Sequence, residues 1–330
     1  MAAPLPSVDI VVATRNRAEL LEPLIMSIRH SSHTDLTLWI VDQSDDPGTE
    51  HIVARHTRED QRVRYLRQEL PGASLARNVG AYVGTAPLIL FTDDDCRVSP
   101  EWVATMACEL LNPAIWAVFG RVLPLYSSPS DPCGRAERGL LDTAVKTSLQ
   151  RRVYAQNRLN LGFGHGASMG IRREAFQQIG GFDPVLGAGG PLRAWEDRDL
   201  GYRVLRAGGH IVYTPDAVLH HLQWRHWRAV RRNHWNYALG TGAAVGKYLR
   251  CGDLIGGAIL AEWFWSQGIR QSLSALLKWR SLQRLWIGLI HLLVPWIGLI
   301  QSLHYSVEHQ YCLYQPLVAS CDLAAAVDKP

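Results

Sequence analysis

The fold of this 330-residue chain is decided by the stretch from Pro87 to Asp95, which reads PLILFTDDD. Leu88 to Thr92 form a short apolar and β-forming run of the kind that makes a buried strand, and three aspartates follow without a break. Like charges this close repel one another unless a cation or a ligand compensates them. The stretch therefore predicts a strand that ends at a site for a hard divalent ion, and a solvated acidic loop is the alternative.

Before this strand, the chain alternates between strand-like and helix-like segments. Strands are predicted at Val8 to Ala13, Leu36 to Val41 and Val63 to Leu66, and helices at Leu20 to Ile28 and Ser74 to Tyr82. Such alternation is typical of an α/β fold in which helices cover both faces of a mostly parallel sheet. Polar residues follow the first, second and fourth strands, and in such sheets the carboxyl ends of the strands form the ligand crevice.

After this strand, the pattern is less regular. Residues 127–160 are rich in Pro, Ser and Arg, which predicts a connecting or acceptor-side insertion. The domain is then completed by a strand, a helix and two short strands, at Gly164 to Ile171, Trp195 to Ala207, Ile211 to Tyr213 and Pro215 to His221. The composition changes after His221, and we place the first domain at residues 1–222.

Several polar residues near the predicted crevice have both a structural and a functional interpretation. Arg77 and Asn78 lie in the second turn of a helix, as surface groups or as a charge and a bidentate amide for a ligand. Asp42 either caps a turn or accepts hydrogen bonds from a ribose or a base edge. The glycines between Gly187 and Gly190 predict either a phosphate-binding loop or a flexible lid.

Two further groups of residues have the same two interpretations. Glu196 and Asp197 open a predicted helix, where the helix dipole stabilises acids, so that simple capping competes with a role as general base. His220 and His221 end a strand and are either structural or partners of the aspartates in a metal site. The order of these features, from the acids through the glycines to the histidines, favours function for the set.

This order resembles that of family 2 glycosyltransferases of the GT-A fold over residues 7–222. Five ordered landmarks carry the resemblance: Val11-Val12-Ala13-Thr14-Arg15-Asn16-Arg17, Ile40-Val41-Asp42, Ala76-Arg77-Asn78-Val79-Gly80, the D-x-D at Asp93-Asp94-Asp95, and Trp195-Glu196-Asp197 with Asp199, Leu200 and Arg203 behind it. The resemblance implies a GT-A nucleotide-sugar-binding sheet, an inverting single displacement and a divalent cation, Mg²⁺ or Mn²⁺.

The resemblance also implies roles for particular residues. The catalytic residues would be Asp197, as the base, and Glu196, and the metal ligands would be Asp93, Asp95 and His220. The nucleotide sugar would contact Thr14, Arg15, Asn16, Arg17, Asp42, Arg77, Asn78, Asp93 and Asp94. Gly189, Gly190 and Trp195 would belong to the acceptor side or to a lid.

Residues 223–330 are predicted to form a basic, Trp-rich helical region. The net charge is −2 over residues 1–216 and +6 over residues 217–330, and eight of the twelve tryptophans lie in the second part. This composition suits the anionic interface of a membrane, and we favour it over stacking on single-stranded nucleic acid. Leu285 to Ile300 is apolar apart from His291 but short for a span. We predict an interfacial or re-entrant helix there, with a spanning helix or a hairpin packed on the first domain as alternatives.

Cysteine usage bears on the compartment. Six cysteines without a C-x-x-C pair, and an N-terminus without a signal-type pattern, predict a reducing cytosol with neither a disulfide framework nor structural zinc. We therefore expect a glycosyltransferase at the inner face of the membrane, with a nucleoside diphosphate sugar as donor, a glycan or lipid-linked acceptor and no nucleic-acid partner. The alternatives are a nucleotidyltransferase, which would release pyrophosphate, and a non-catalytic membrane-docked nucleotide-sugar-binding module.

Overall fold

The computed structural model describes residues 4–126, 142–223 and 225–316. The strands are β1 (Val8–Thr14), β2 (Leu36–Asp42), β3 (Val63–Arg67), β4 (Leu88–Asp93), β5 (Cys96–Val98), β6 (Ile115–Leu125), β7 (Arg152–Tyr154), β8 (Met169–Arg172), β9 (His210–Leu222), β10 (Val307–Glu308) and β11 (Leu313–Tyr314). The helices before residue 223 are α1 (Ala18–Arg29), α2 (Gly48–Glu59), α3 (Ala73–Val83), α4 (Trp102–Glu109), α5 (Arg173–Gln178) and α6 (Glu196–Arg206), with a 3₁₀ turn at Gly166–Ser168.

The helices after residue 223 are α7 (Trp227–Arg250), α8 (Ile255–Trp263), α9 (Arg270–Ser274) and α10 (Leu282–Ser302). Two π-helical stretches, Phe264–Ile269 and Ala275–Trp279, make α8 and α9 parts of one helical segment. That segment and α10 form a helical hairpin over residues 255–302, called the C-terminal hairpin below.

One sheet organises the first domain, with strand order β3-β2-β1-β4-β8-β6-β9-β5 and β7 paired to β9. The pairs β1–β2, β1–β4 and β2–β3 are parallel, whereas β8 is antiparallel to β4 and β6. Thr14 is in register with Asp42, and Ala13 with Asp93. The polar residues that follow strands one, two and four in the sequence therefore meet at one edge of the sheet.

Both faces of the sheet are buried, as the alternation of strands and helices predicts. Ile10 and Val12 face a core that includes side chains of α1, α2 and α4, whereas Val11 and Phe91 face a second core that includes side chains of α3 and α6. Successive residues of a strand point to opposite faces, so a fully apolar strand requires this double covering.

Several elements differ from the sequence prediction: α2, α4 and α5 were not predicted, and the predicted strand Gly164 to Ile171 begins with a 3₁₀ turn. The expected short strands Ile211 to Tyr213 and Pro215 to His221 are one strand, β9, in which Pro215 falls within a register shift against β6. A proline lacks the N–H that a ladder needs, and an irregularity is where a sheet accommodates it. The long strand β6 was not predicted, because Gly120 and Pro124 interrupt its apolar run.

The helices after residue 223 pack on the first domain. Ala243, Tyr248 and Val294 belong to the same core as Val11 and Phe91. Helices α7 and α10 approach so closely that a Cβ at Gly242 would collide with the backbone of Pro295. Packing on the first domain, the alternative stated for Leu285 to Ile300, is therefore found for the inner side of α10.

Among the described residues, one helix is long and apolar enough to cross a membrane. It is α10, and 44% of its most apolar window is buried inside the protein. A helix of this kind is also found in the cores of proteins that do not span a membrane, so length and composition alone do not decide its role.

The expectation of no disulfide is wrong. Cys251, after α7, is bonded to Cys312, before β11, across 61 residues of sequence. The two Cα atoms are 6.1 Å apart because the chain after α10 returns to the end of α7. Sequence spacing gives no sign of this proximity. With this disulfide present, the cysteines do not indicate a reducing compartment.

A fully buried lysine joins α7 to the first domain. The Nζ atom of Lys247 lies 2.6 Å from Asp183 and 2.7 Å from Asp199, and all three side chains are inaccessible to solvent. Asp199 also pairs with Arg203 at 2.9 Å. Buried ions of one sign are tolerated only beside partners of the other sign, so each member of this network depends on the rest.

We predict that Lys247→Met destabilises the protein by about 3–5 kcal/mol, because it leaves buried aspartates without their counter-ion. Chemical denaturation of the full chain measures the change in the free energy of unfolding. Lys278→Met is the matched control, since Lys278 is exposed on the C-terminal hairpin, and surface substitutions usually change stability by less than about 0.5 kcal/mol. Equal stabilities of the two variants would contradict the role given to Lys247.

Candidate active site

A cavity of about 200 Å³ lies at the sheet edge where β1 and β4 end. We call it the edge cavity. Parts of β9, α3, α6 and α7 complete its walls, and its lining includes Arg17, Arg77, Asp93, Asp95, Glu196, His221, Arg225, Asn233, Asn236 and Tyr237. Acids and bases from five separate parts of the chain therefore share one small space.

Asp94 is the buried member of the aspartate triplet. Its side chain is inaccessible to solvent, accepts a hydrogen bond from the Thr14 hydroxyl at 2.7 Å and pairs with Arg17 at 2.9 Å. Burial raises the pKa of Asp94 to about 7, against the attraction of Arg17. Asp94 thus joins the end of β4 to Thr14 and Arg17, and it does not line the edge cavity.

Asp95 faces the edge cavity and is surrounded by cationic and imidazole groups. Its carboxylate lies 3.4 Å from His221 Nε2, 3.6 Å from Arg17 and 3.9 Å from Arg225. The sequence predicts that the triplet needs a compensating positive charge, and these side chains provide part of it.

The assignment of His220 to the metal site is corrected by the structure, which brings His221 to Asp95 instead. In the β5–β9 pair, His221 is opposite Cys96 and His220 is opposite Arg97. Consecutive residues of a strand point to opposite faces of the sheet. Since His221 faces Asp95, the side chain of His220 is directed to the other face.

Asp95, Cys96 and His221 place one possible ligand atom each within 4.8 Å of the others. Burial and the negative charges of Asp93 and Asp95 raise the pKa of the Cys96 thiol well above its usual range. A neutral thiol is a poor ligand for Mg²⁺ or Mn²⁺, whereas carboxylate and imidazole suit Mn²⁺. The residues present therefore fit a divalent cation held by Asp95 and His221, with Asp93 on the same cavity wall.

Arg77 joins the two acidic walls of the edge cavity. Its guanidinium lies 2.8 Å from Asp93 at the end of β4 and 3.0 Å from Glu196 in the first turn of α6. Only 4% of the Arg77 side chain is exposed. Burying a guanidinium between two carboxylates fixes the separation of β4 and α6.

Asp197 is held by the backbone. It accepts hydrogen bonds from the N–H of Gly166 at 2.8 Å and from that of Arg198 at 2.7 Å. No ion pair joins Asp197 to a side chain in the described parts of the chain. Glu196, by contrast, is neutralised by Arg77, and burial together with repulsion from Asp197 raises its pKa.

Four of the residues expected to bind the nucleotide sugar form polar contacts with other protein groups: Arg15, Asn16, Asp42 and Asn78. Arg15 and Asn16 contact the exposed Asp45. Asp42 is fully buried, where it accepts a bond from Tyr65 at 3.0 Å and lies 3.3 Å from Arg67.

The amide of Asn78 exchanges two hydrogen bonds of 2.9 Å with the backbone of Phe182. One of its two N–H groups and its oxygen are therefore engaged, so Asn78 supports the chain before Asp183, and it does not line the edge cavity. Its assignment to the nucleotide pocket stays a prediction.

The glycine loop, Gly187 to Gly190, contacts the start of α3. Ala188 accepts a hydrogen bond from the N–H of Ala73 at 2.8 Å, and Gly189 adopts a φ of +79° close to Gly72. Gly190 follows in the same turn. Trp195 ends this segment at a φ of +83°, a left-handed conformation that a bulky side chain rarely adopts.

Three side chains of α7 were missed by the sequence analysis, which assigned this region to a membrane. Asn233, Asn236 and Tyr237 line the edge cavity. Their spacing of three and four residues places them on one helix face, and that polar stripe was the available signal. The contact itself depends on how α7 packs, which no local pattern gives.

The family model described as glycosyl transferase family 2 matches residues 9–180, just over half of the chain. The chain belongs to this family. The pre-mycofactocin glycosyltransferase of Mycobacterium tuberculosis is 27% identical over 235 residues, which cover 67% of this chain and 44% of that protein. The chain thus spans less than half the length of this relative. The glucosyl-dolichyl phosphate glucuronosyltransferase of Haloferax volcanii is 23% identical over 65% of this chain and 68% of its own length.

Solved structures of glycosyltransferases share the fold. The mannosyltransferase PcManGT of Pyrobaculum calidifontis, in complex with GDP-Man and Mn²⁺, has a TM-score of 0.59 at 18% identity, over 89% of this chain and 87% of its own. S. aureus TarS 1–349, in complex with UDP, has a TM-score of 0.53 at 13% identity, over 71% and 65%. The predicted GT-A fold is confirmed.

We predict that Asp95→Asn and His221→Ala lose the thermal stabilisation that UDP or GDP gives in the presence of Mn²⁺. His220→Ala is the matched control, because its side chain lies on the opposite face of the same strand. Melting curves of the full chain with and without Mn²⁺ and nucleotide provide the measurement. If His220→Ala lost the stabilisation and His221→Ala retained it, the assignment of His221 would be overturned.

Proposed function

We propose that this chain transfers a sugar from a nucleoside diphosphate sugar to an acceptor hydroxyl, with inversion at the anomeric carbon. The observation that carries the proposal is the convergence of Asp95, His221 and the first turn of α6 on the edge cavity. The named activities of the relatives and the nucleotide-bound structural neighbours support it.

The edge cavity suits a diphosphate. Asp95 and His221 would hold Mn²⁺ or Mg²⁺, and such an ion, when bound, neutralises the charge that develops on the departing diphosphate. Arg17 and Arg225 lie within 3.9 Å of Asp95 and line the same space. These guanidinium groups are placed to donate hydrogen bonds to phosphate oxygens, which a guanidinium recognises in a bidentate manner.

Asp197 is the better placed of the two acids that open α6. Glu196 lies 3.0 Å from Arg77, and this ion pair holds its carboxylate against the guanidinium. Two backbone N–H groups orient Asp197 and leave it free of a cationic side chain among the described residues. In the proposed step the acceptor oxygen gives its proton to Asp197, a bond forms from that oxygen to the anomeric carbon, and the bond to the diphosphate breaks.

We predict that Asp197→Asn lowers the transfer rate by about 10²- to 10⁴-fold, the usual contribution of a general base, while binding of the nucleotide sugar is retained. Asp216→Asn is a matched control, because Asp216 is exposed on β9. Product analysis by NMR reports the anomeric configuration and the released nucleotide. A wild-type rate in Asp197→Asn would remove its role, a retained configuration would exclude the single displacement, and released pyrophosphate would indicate a nucleotidyltransferase.

We further propose that the C-terminal hairpin rests on a membrane surface. Its outer side carries thirteen exposed large apolar residues, called the apolar face: Trp265, Ile269, Leu273, Leu276, Leu277, Trp279, Leu282, Trp286, Leu289, Leu293, Trp296, Ile297 and Ile300. Residues 263–307 contain no acid, and Arg270, Lys278, Arg280 and Arg284 are basic. Exposed apolar side chains with tryptophans and basic residues suit the interface of an anionic membrane.

The acceptor would accordingly be lipid-linked. The Haloferax relative is named for a dolichyl phosphate acceptor, and a Campylobacter jejuni relative, 26% identical over 36% of this chain, for a PP-undecaprenol acceptor. A protein whose apolar face lies in the headgroup region would meet such an acceptor at the height of its saccharide.

We predict that Leu277→Glu combined with Leu282→Glu weakens vesicle binding about tenfold or more, because each leucine loses its burial in the acyl region. Both side chains are at least 80% exposed. Flotation with phosphatidylcholine vesicles, with and without phosphatidylglycerol, measures binding, and Leu149→Glu on the first domain is the control, at 71% exposure. High salt should release the wild type only in part. Absence of the wild-type chain from floated vesicles would contradict the proposal.

A further inference from the structure

A second cavity, of about 550 Å³, lies on the other side of the first turn of α6. We call it the hairpin cavity, because the C-terminal hairpin forms one of its walls. Its lining comprises Asn157, Leu159, Asn160, Leu161, Gly162, Trp195, Arg198, Ile259, Glu262, Trp263, Ser266, Gln267 and Arg270. The mechanism proposed above uses none of these residues.

The hairpin cavity and the edge cavity share a wall. Ala194 and Glu196 line the edge cavity, whereas Trp195 and Arg198 line the hairpin cavity. Asp197 lies between these positions in the first turn of α6. The two cavities therefore adjoin the same turn of α6, the turn that also carries Asp197.

Two tryptophans of the hairpin cavity have unused hydrogen-bond donors. Trp195 and Trp263 pack edge to face at 5.1 Å, and neither indole N–H has a partner among the described residues. Trp195 is only 3% exposed. A buried donor without a partner is unfavourable, so an acceptor oxygen that reached either N–H group would be favoured.

The remaining lining supplies the other parts of a saccharide site. The guanidinium of Arg198 lies 4.8 Å from the ring centre of Trp195, which holds both flat groups in place. Glu262 offers a carboxylate, and Asn160 and Gln267 offer amides that both donate and accept. Indole rings pack against the C–H faces of a sugar, while carboxylate and amide groups bind its hydroxyls, so this combination selects a saccharide over a purely apolar molecule.

The hairpin cavity is continuous with the apolar face. Trp263 belongs to its wall, and the next residues along the same helical segment, Trp265 and Ile269, are 57% and 41% exposed. Arg270 lies at this rim. A ligand with a sugar head and a lipid tail thus finds a polar cavity and an apolar surface side by side.

We propose that the hairpin cavity binds the saccharide of a lipid-linked acceptor, with its lipid along the apolar face and its attacking hydroxyl directed to Asp197. This inference rests on the proposed glycosyl transfer and adds the place where the saccharide of the acceptor binds. It requires that the acceptor already carries at least one sugar, so a reaction that attaches a first sugar to the lipid must precede this one.

The test uses a panel of short-chain alkyl glycosides below their critical micelle concentrations, with glucoside, galactoside, mannoside, N-acetylglucosaminide and maltoside heads. An alkyl polyoxyethylene ether of the same chain length is the headgroup control. Calorimetric titration of the full chain should show at least one glycoside bound about tenfold more tightly than the ether, since tenfold corresponds to 1.4 kcal/mol. Equal binding of the ether and of every glycoside would overturn the proposal.

Variants locate the site. Trp263→Ala and Glu262→Gln should weaken glycoside binding about fivefold or more, as expected for lost stacking or a lost hydrogen bond to a charged group. Leu111→Ala is the control, because it removes an exposed apolar side chain from the first domain, outside the hairpin cavity and the apolar face. Trp263→Phe keeps a ring and loses the N–H, so it should retain part of the affinity for the glycoside. It replaces Trp263→Ala in the test if that variant fails to fold.

The nucleotide separates this proposal from the proposed function. Stabilisation by UDP or GDP with Mn²⁺ should be unchanged in Trp263→Ala and Glu262→Gln, because neither residue lines the edge cavity. Nucleotide binding without headgroup-dependent glycoside binding would reject the hairpin cavity and leave glycosyl transfer standing. Absence of nucleotide binding in the wild type would reject the proposed function itself.

Discussion

The placement of Lys247 between Asp183 and Asp199 is the constraint on which the rest of the structure depends. All three groups are without contact to water, and Arg203 completes the network through Asp199 and the carbonyls of Ile179 and Gly181. The network fixes α7, α6 and the chain before the glycine loop relative to one another. A region that the sequence presents as a basic appendage is thereby a structural part of the catalytic half, and it also supplies a wall of the edge cavity.

Charge compensation governs the site in the same way. The aspartate triplet at the end of β4 is surrounded by Arg17, Arg77, His221 and Arg225, each from a different part of the chain. Arg77 also compensates the charge of Glu196, so one buried guanidinium holds the end of β4 next to the first turn of α6. The acids of the edge cavity are thus kept in position by the cations that make their proximity tolerable.

The C-terminal hairpin has an inner and an outer side with different partners. Its inner side, which includes Ile290 and Val294, belongs to the same core as Val11 and Phe91. Its outer side exposes tryptophans and leucines to solvent. The hairpin cavity lies where these two environments meet, next to Trp195 at the start of α6. The edge cavity and the hairpin cavity consequently adjoin a single helical turn, and the apolar face lies next to the hairpin cavity.

The sequence by itself determined the elements whose signals are local. The apolar strand before Asp93, the alternation of strands and helices and the acids that open α6 all follow from spacing over a few residues, and the structure contains each of them. Patterns of this kind also give the α/β class and the edge where ligand-binding groups gather.

Tertiary structure alone decided the contacts that join distant segments. His221 rather than His220 meets Asp95 because of the β5–β9 register, Cys251 meets Cys312 because the chain returns after α10, and Asn236 and Tyr237 reach the edge cavity because α7 packs beside α6. A one-residue change of register turns a side chain to the other face, and helix packing depends on many side chains together. No short-range pattern encodes either property, since both are settled only when the whole core is assembled.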